Sequence, residues 1–132
     1  MFRLLAYLWA FPTTCFGLLF LPLSLGGGGS VRVVRGVMEI HGQWIAWLLK
    51  HAVPISGGAS AMTLGHVVIA RDQQCLDCSR GHERVHVRQC ERWGLLFIPA
   101  YLLAAAVARV RGGDPYFDNP FEREASRQGS LQ

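Results

Sequence analysis

The sequence predicts an α+β fold: an N-terminal membrane helix followed by a minimal domain of short strands, one polar helix, one apolar helix and a short C-terminal helix. Three observations predict it. The 132 residues are 51% hydrophobic and only 17% charged, and two stretches lack Asp, Glu, Lys and Arg over membrane-scale distances. Two runs rich in β-branched residues, 31–40 and 62–70, read as strands. Arg80, Arg84, Arg88 and Arg92 recur every four residues, which is helical spacing.

Composition excludes a disordered, collagen-like or highly charged coiled-coil chain. The 13 basic residues outnumber the 9 acidic ones, and Lys50 is the only lysine among them. Arginine of this kind suits phosphates, anionic lipid or carboxylates. With no helix-turn-helix, RNA-recognition or zinc-finger spacing beside the arginines, membrane lipid is the expected partner and nucleic acid is not.

Between Arg3 and Arg32 no residue carries a formal charge. The strongly apolar part, residues 4–25, would reach about 33 Å as a helix, enough to cross a hydrocarbon core. Pro12 and Pro22 can kink it, which membrane helices tolerate. The rival reading is a cleavable signal peptide with Ser24 and Gly26 before the cut; the long apolar core and the single Arg3 favour a retained anchor. Residues 1–25 are thus the anchor, the Gly-rich residues 26–30 a flexible linker, 31–127 the folded domain and 128–132 a disordered tail.

Within the domain, 31–40 is a strand with Gly36 at a bulge, 43–51 a short helix with Trp44 and Trp47, 54–60 a loop and 62–70 a strand. A helix covers 79–93, with His82 and His86 on a different face from the arginines, and Cys75 and Cys78 in the loop before it. That arginine stripe is either a solvated face or a set of contacts to lipid headgroups, Glu91, Glu122 or Glu124. Residues 93–108 form the second uncharged run, about 24 Å long as a helix and short of a full crossing. Turns at Asp114-Pro115 and Asn119-Pro120 precede a helix start at 121–125. Four cysteines make no disulfide framework and are read as reduced, which points to the cytosolic side.

His82-Glu83-Arg84-Val85-His86 is an H-E-x-x-H sequence inside the helical stretch. Histidines at i and i+4 share a face and can converge on Zn²⁺, while the glutamate between them can take a proton from water as general base. Zinc lowers the pKa of water toward neutrality and polarises a carbonyl, which is the chemistry of peptide hydrolysis. A third histidine in the extended pattern would need Gly at 89 and His at 92, where this chain has Gln89 and Arg92. The third ligand is then a later carboxylate. Glu91 shares the helix and cannot swing round, whereas Glu122 and Glu124 follow His86 at a distance that allows a turn and a returning helix.

H-E-R-V-H, an apolar helix and then N-P-F-E-R-E-A resemble the gluzincin metallopeptidases, in particular the membrane-bound HtpX-like heat-shock proteases and the CAAX-prenyl proteases. Their pattern couples H-E-x-x-H to a downstream E-x-x-x-D. On matching positions the resemblance implies Glu122 as third zinc ligand, with Glu124 the alternative in a shifted register. It departs at Ser126, where the family has an aspartate that supports a zinc histidine. Residues 60–127 carry the likeness, which extends to small bacterial membrane proteins with an H-E-x-V-H-x-R-Q motif and a Trp-Gly pair. It implies a zincin-like domain, a zinc-dependent peptidase acting on a peptide or protein substrate, and a bacterial inner membrane. It also implies that the strand before the active helix holds the extended substrate, here Met62, Thr63, Leu64, Gly65 and His66. His66 either faces the site or is a packed strand histidine, the second being the plainer reading.

Cys75, Cys78, His82 and His86 offer a competing Cys₂His₂ zinc site, which would make the chain a non-catalytic membrane protein with a partner-binding module. One zinc ion shared by His82 and Glu122 forbids a full crossing by 93–108, so that run is expected to be a buried core helix or one that dips into the membrane and returns. Arg71 and the four stripe arginines, against Arg3 alone before the anchor, put the catalytic part in the cytoplasm. The domain is short for a protease, and a homo-oligomer or a partner would supply the missing substrate lobe.

Overall fold

The computed structural model describes residues 2–26, 28–52 and 58–129. Most of the loop expected at 54–60, residue 27 of the glycine run and residues 130–132 of the expected tail lie outside them. The described residues form an α+β fold in which a mixed four-stranded sheet is flanked by helices on both faces.

The first apolar stretch folds as two helices, α1 (Phe2–Leu18) and α2 (Leu21–Gly26), broken at Leu19 and Phe20. Pro22 stands in the first turn of α2, where its missing N–H is not needed. The glycine run beyond is docked, unlike the expected free linker. The Gly29 amide donates to the Ser24 carbonyl at 2.9 Å, and Ser24 Oγ donates to the His41 carbonyl at 2.9 Å. A Cβ on Gly29 would collide with that His41 carbonyl, so glycine here permits contact between two backbones.

Each run expected to be one strand is a hairpin. β1 (Ser30–Val34) and β2 (Val37–His41) flank Arg35 and Gly36, whose φ angles of 51° and 79° are the two left-handed residues of a type I′ turn. The bulge expected at Gly36 is this reversal. β3 (Ala61–Leu64) and β4 (Val67–Ala70) flank Gly65 (φ 65°) and His66. His66 therefore sits in a turn and not in a strand.

The sheet order is β1-β2-β4-β3, with β2 and β4 parallel and the outer pairs antiparallel. Helix α3 (Gln43–His51), at the bounds the sequence predicts, lies in the crossover between β2 and the β3–β4 hairpin. Side chains alternate between the two faces. Ile40, Val67 and Ile69 pack with Ile45 and Leu49 of α3 on one face, while Val37, Val68 and Ala70 meet Leu76 and Val87 of the next helix on the other.

That helix, α4 (Gln73–Trp93), begins ahead of the expected residue 79 because Asp72 caps it, Oδ1 accepting from the Cys75 amide at 2.8 Å. Cys75 and Cys78 are consequently helical. A 3₁₀ turn (Gly94–Leu96) leads into α5 (Phe97–Val110), and the chain returns to α6 (Pro120–Gly129), which packs on α4. Asn119, fully buried, caps α6 through Oδ1 to the Phe121 amide (3.0 Å), and its Nδ2 donates to the Tyr101 carbonyl (3.2 Å). Residues 128 and 129, expected in the tail, belong to α6.

The second uncharged run is not a buried core helix: Phe97 and Ala108 are buried in α5, but Leu102, Leu103, Val107 and Val110 are exposed. Phe2–Gly26 and the continuous stretch Gln73–Val110 are each long and apolar enough to cross a membrane, and 17% of each apolar window is buried. The apolar part of the second begins at Trp93, past the last charge of α4. Helix α1 nevertheless has an inner face. Its Ala10 packs with Cys90 and Phe97, its Tyr7 hydroxyl donates to the Gly36 carbonyl at 2.6 Å, and its Thr14 Oγ1 accepts from the His66 amide at 3.0 Å.

Half of the arginine stripe is turned inward. Glu39, 3% exposed in β2, receives a forked pair from Arg80 (2.9 and 2.8 Å) and a further bond from Arg84 (3.2 Å). Arg92 pairs with Glu124 at 3.0 Å, as one of the expected partners.

Candidate metal centre

Two turns of α4 and the first turn of α6 build the site. Four residues of helix put the His82 and His86 rings on one face, with Nε2 atoms 3.2 Å apart. Helix α5 carries the chain away and the loop 111–119 brings it back, so Glu122 enters from α6 on the same side. Its Oε2 is 2.9 Å from His82 Nε2 and 3.2 Å from His86 Nε2, and its Oε1 is 3.1 Å from His86 Nε2. His82, His86 and Glu122 offer ligand atoms all within 4.8 Å of one another, a group that can hold a metal ion.

The donor chemistry fits a cation. Two imidazole nitrogens and a carboxylate oxygen converge on one point, where at most one proton can lie between each pair of lone pairs. Tetrahedral zinc with bonds of about 2.0–2.1 Å separates its ligand atoms by about 3.4 Å, close to the spacings here.

Neighbours fix each ligand. His86 Nδ1 donates to Gln89 Oε1 at 2.8 Å, which turns Nε2 toward Glu122. Gln89, 1% exposed, in turn donates to the Phe121 carbonyl (3.0 Å) and to Glu124 Oε1 (2.9 Å), tying α4 to α6. The Tyr101 hydroxyl of α5 donates to Glu122 Oε1 at 2.6 Å. Burial raises the Glu122 carboxyl, but hydrogen bonds from His82 and His86 outweigh it and hold the group well below the usual carboxylate range. Burial likewise opposes charge on His86, yet its bond to Glu122 and the charge of Glu83 push its pKa up.

Glu83 is buried between α4 and β3. Thr63 Oγ1 donates to its Oε2 at 2.5 Å, and burial pushes its carboxyl up against the opposing pull of His86. A shallow cavity of about 430 Å³ opens beside Glu122, lined by Tyr116, Phe117, Arg123, Ser126 and Arg127. Burial first, then the charges of Glu122 and Glu83, push the Tyr116 phenol up, so its proton stays on the oxygen as a donor.

The expected residues separate cleanly. His82, Glu83, His86 and Glu122 come together. Glu124 points instead to Gln89 and Arg92. Of residues 62–66, Thr63 reaches the site through Glu83, Met62 packs on the opposite face of the sheet, and Gly65 and His66 lie in the turn against α1. Ser126 is exposed on the cavity, and His86 is held by Gln89. Cys75 and His86 are eleven residues apart on one helix, about 16 Å along its axis, too far for one ion; Cys78 is exposed. The Cys₂His₂ set is therefore not formed.

Gln89, Tyr101 and Tyr116 are the site residues that sequence reasoning missed. Gln89 had a readable signal, since i+3 from His86 falls on the same helical face. No protein-family model, curated protein or solved structure matches this chain.

Proposed function

We propose that the chain is a membrane-associated zinc metallopeptidase of gluzincin type with a zincin-like domain. One observation carries the reading: Glu122 closes on His82 and His86 from a separate helix while Glu83 is held beside them by Thr63. His82 Nε2, His86 Nε2 and Glu122 would hold the zinc ion. When bound, zinc lowers the pKa of water and polarises the scissile carbonyl.

The chain's own residues supply the rest. Glu83 accepts the proton of the attacking water and returns it to the leaving amine, a role served by a carboxylate whose pKa burial has raised. Thr63 fixes the orientation of Glu83, and Tyr101 and Gln89 fix Glu122 and His86. Tyr116 is a donor at the mouth of the cavity. β3 is an edge strand. The bond from the Arg71 amide to the Ser60 carbonyl (3.1 Å) sets its parity, so the main chain of Ala61 and Thr63 is directed off the sheet, where an extended peptide can pair with it.

The outward apolar faces of α1 and α5, with Trp9, Trp93, Leu95 and Leu96 between them, face lipid in this reading, and the arginine-bearing side faces the cytoplasm of a bacterial inner membrane. Peptidase assay of Glu83→Gln beside wild type, each with its zinc content measured, is the test. Loss of hydrolysis with zinc retained near one per chain supports the proposal, and retained hydrolysis contradicts it.

A further inference from the structure

On the opposite side of α4 from the metal ligands, the first turns of α1 and the tip of the β1–β2 hairpin enclose a cavity of about 70 Å³ lined by Arg3, Tyr7, Arg35, His66 and Glu91. A buried water needs roughly 10–15 Å³ on this measure, so the space takes about five heavy atoms, the size of one tetrahedral oxyanion. Its lining is built. His66 is 5% exposed, stacks on Tyr7 with ring centroids 4.1 Å apart, and shares its Nε2 with Glu91 Oε1 at 2.9 Å. Its Nδ1 is the one buried side-chain polar atom among the described residues without a hydrogen-bond partner. An orphan of this kind in a fold that satisfies its other buried side-chain polar atoms points to a ligand.

The charges around it say which. Arg3 and Arg35 form no ion pair among the described residues, and Glu91 is engaged by His66. Two guanidinium forks at one small cavity match the oxygens of a phosphate. His66, which lines the same cavity, is held in place by Tyr7 and Glu91. A phosphomonoester carries close to two negative charges near neutral pH, one for each guanidinium, whereas a phosphodiester carries one.

We propose that this cavity binds a phosphomonoester, its oxygens on Arg3 and Arg35 and His66 in its wall. The ligand is either the headgroup of phosphatidic acid, which the exposed apolar residues Phe2 and Leu4 beside Arg3 would place at headgroup depth, or a soluble phosphate monoester. Arg35 at φ 51° holds a left-handed conformation that its side chain disfavours, so Arg35→Gly removes a ligand while relaxing the turn.

Two measurements on the full chain test this: thermal unfolding in detergent with and without inorganic phosphate, and partition onto phosphatidylcholine vesicles doped with either phosphatidic acid or phosphatidylglycerol. The lipid source predicts at least about tenfold tighter partition to phosphatidic acid than to phosphatidylglycerol. The soluble source predicts stabilisation by inorganic phosphate with no such lipid preference. In either case Arg3→Gln and Arg35→Gly abolish the effect, and Arg35→Gly unfolds no lower than wild type without phosphate. Equal partition to both lipids with no phosphate stabilisation, or an effect that survives both substitutions, overturns the proposal. Zinc content is unchanged in both variants, which separates this site from the metal centre.

Discussion

Gln89 accepts a hydrogen bond from Nδ1 of His86 at 2.8 Å, one helical turn away, and thereby decides which nitrogen of the ring faces Glu122. The same amide spans the gap to α6 through the Phe121 carbonyl and Glu124. Removing it unfixes the ring and loosens the helix that carries the third ligand. Gln89→Leu is expected to weaken zinc binding by about 10–100-fold, the usual cost of losing such a support. Competition titration against a chelating dye measures it. Equal affinity in Gln89→Leu and wild type would show that the contact is only packing.

Acidity should act in opposite directions on the metal-free and zinc-loaded forms. In the metal-free protein His86 is raised above 6.5 and Glu83 above 4.5, so the fold holds protons that the unfolded chain has released, and stability falls as pH rises through these groups. Glu122 is lowered from 4.5, so its contribution is present above 4.5 and is lost as pH falls toward its folded value. The metal-free form is therefore most stable near pH 4.5, where the Glu122 contribution is in place and the losses from Glu83 and then His86 have yet to begin, and declines toward pH 8. Zinc requires unprotonated imidazoles, so its stabilising increment grows over the same rise. Differential scanning calorimetry from pH 5 to 8, with and without zinc, checks both slopes; parallel curves would contradict the coupling of His86 to Glu122.

Glu39 is the acid that anchors α4 to the sheet. Glu39→Ala leaves Arg84, 13% exposed, without its carboxylate and is expected to cost about 3 kcal/mol, whereas Arg80→Ala costs about 1 kcal/mol because Arg80 is 31% exposed and Arg84 still meets Glu39. Urea unfolding in detergent ranks the two. A smaller loss for Glu39→Ala than for Arg80→Ala would contradict the burial argument.

Helix α1 is part of the fold. A Cβ on Gly17 would come within 2.6 Å of Val67 Cβ, and Ala10 is buried against Cys90 and Phe97. Mass analysis of the protein extracted from membranes should find residues 2–25 still attached, and a chain beginning at Ser30 should unfold at lower temperature or fail to accumulate. Isolation of a stable form cut after residue 26 would favour the signal-peptide reading.

What the sequence revealed and what it hid have physical causes. His82, Glu83 and His86 were legible because helical periodicity alone puts them on adjacent faces, and Glu122 because the return of the chain leaves few carboxylates in reach. Spacing alone left Glu122 and Glu124 both in reach, the metallopeptidase resemblance favoured Glu122, and the rotation of α6 that Asn119 sets when it caps the helix turns Glu122 to the histidines. The two hairpins were hidden inside single apolar runs, since β-branched residues continue through a two-residue reversal that only Gly36 and Gly65 mark. Glu39 lay in plain view as an acid in an apolar strand, but its partners are 41 and 45 residues away. The exposure of α5 could not be read from hydropathy, which rates a core helix and a lipid-facing helix alike.

The central claim is that Glu122 completes the metal site, and metal analysis of purified wild type, Glu122→Ala and Glu124→Ala tests it most directly. Wild type and Glu124→Ala should retain close to one zinc per chain, while Glu122→Ala loses it or binds more than about 100-fold more weakly, beyond the loss from a supporting contact. Full zinc occupancy in Glu122→Ala at wild-type affinity would contradict the account.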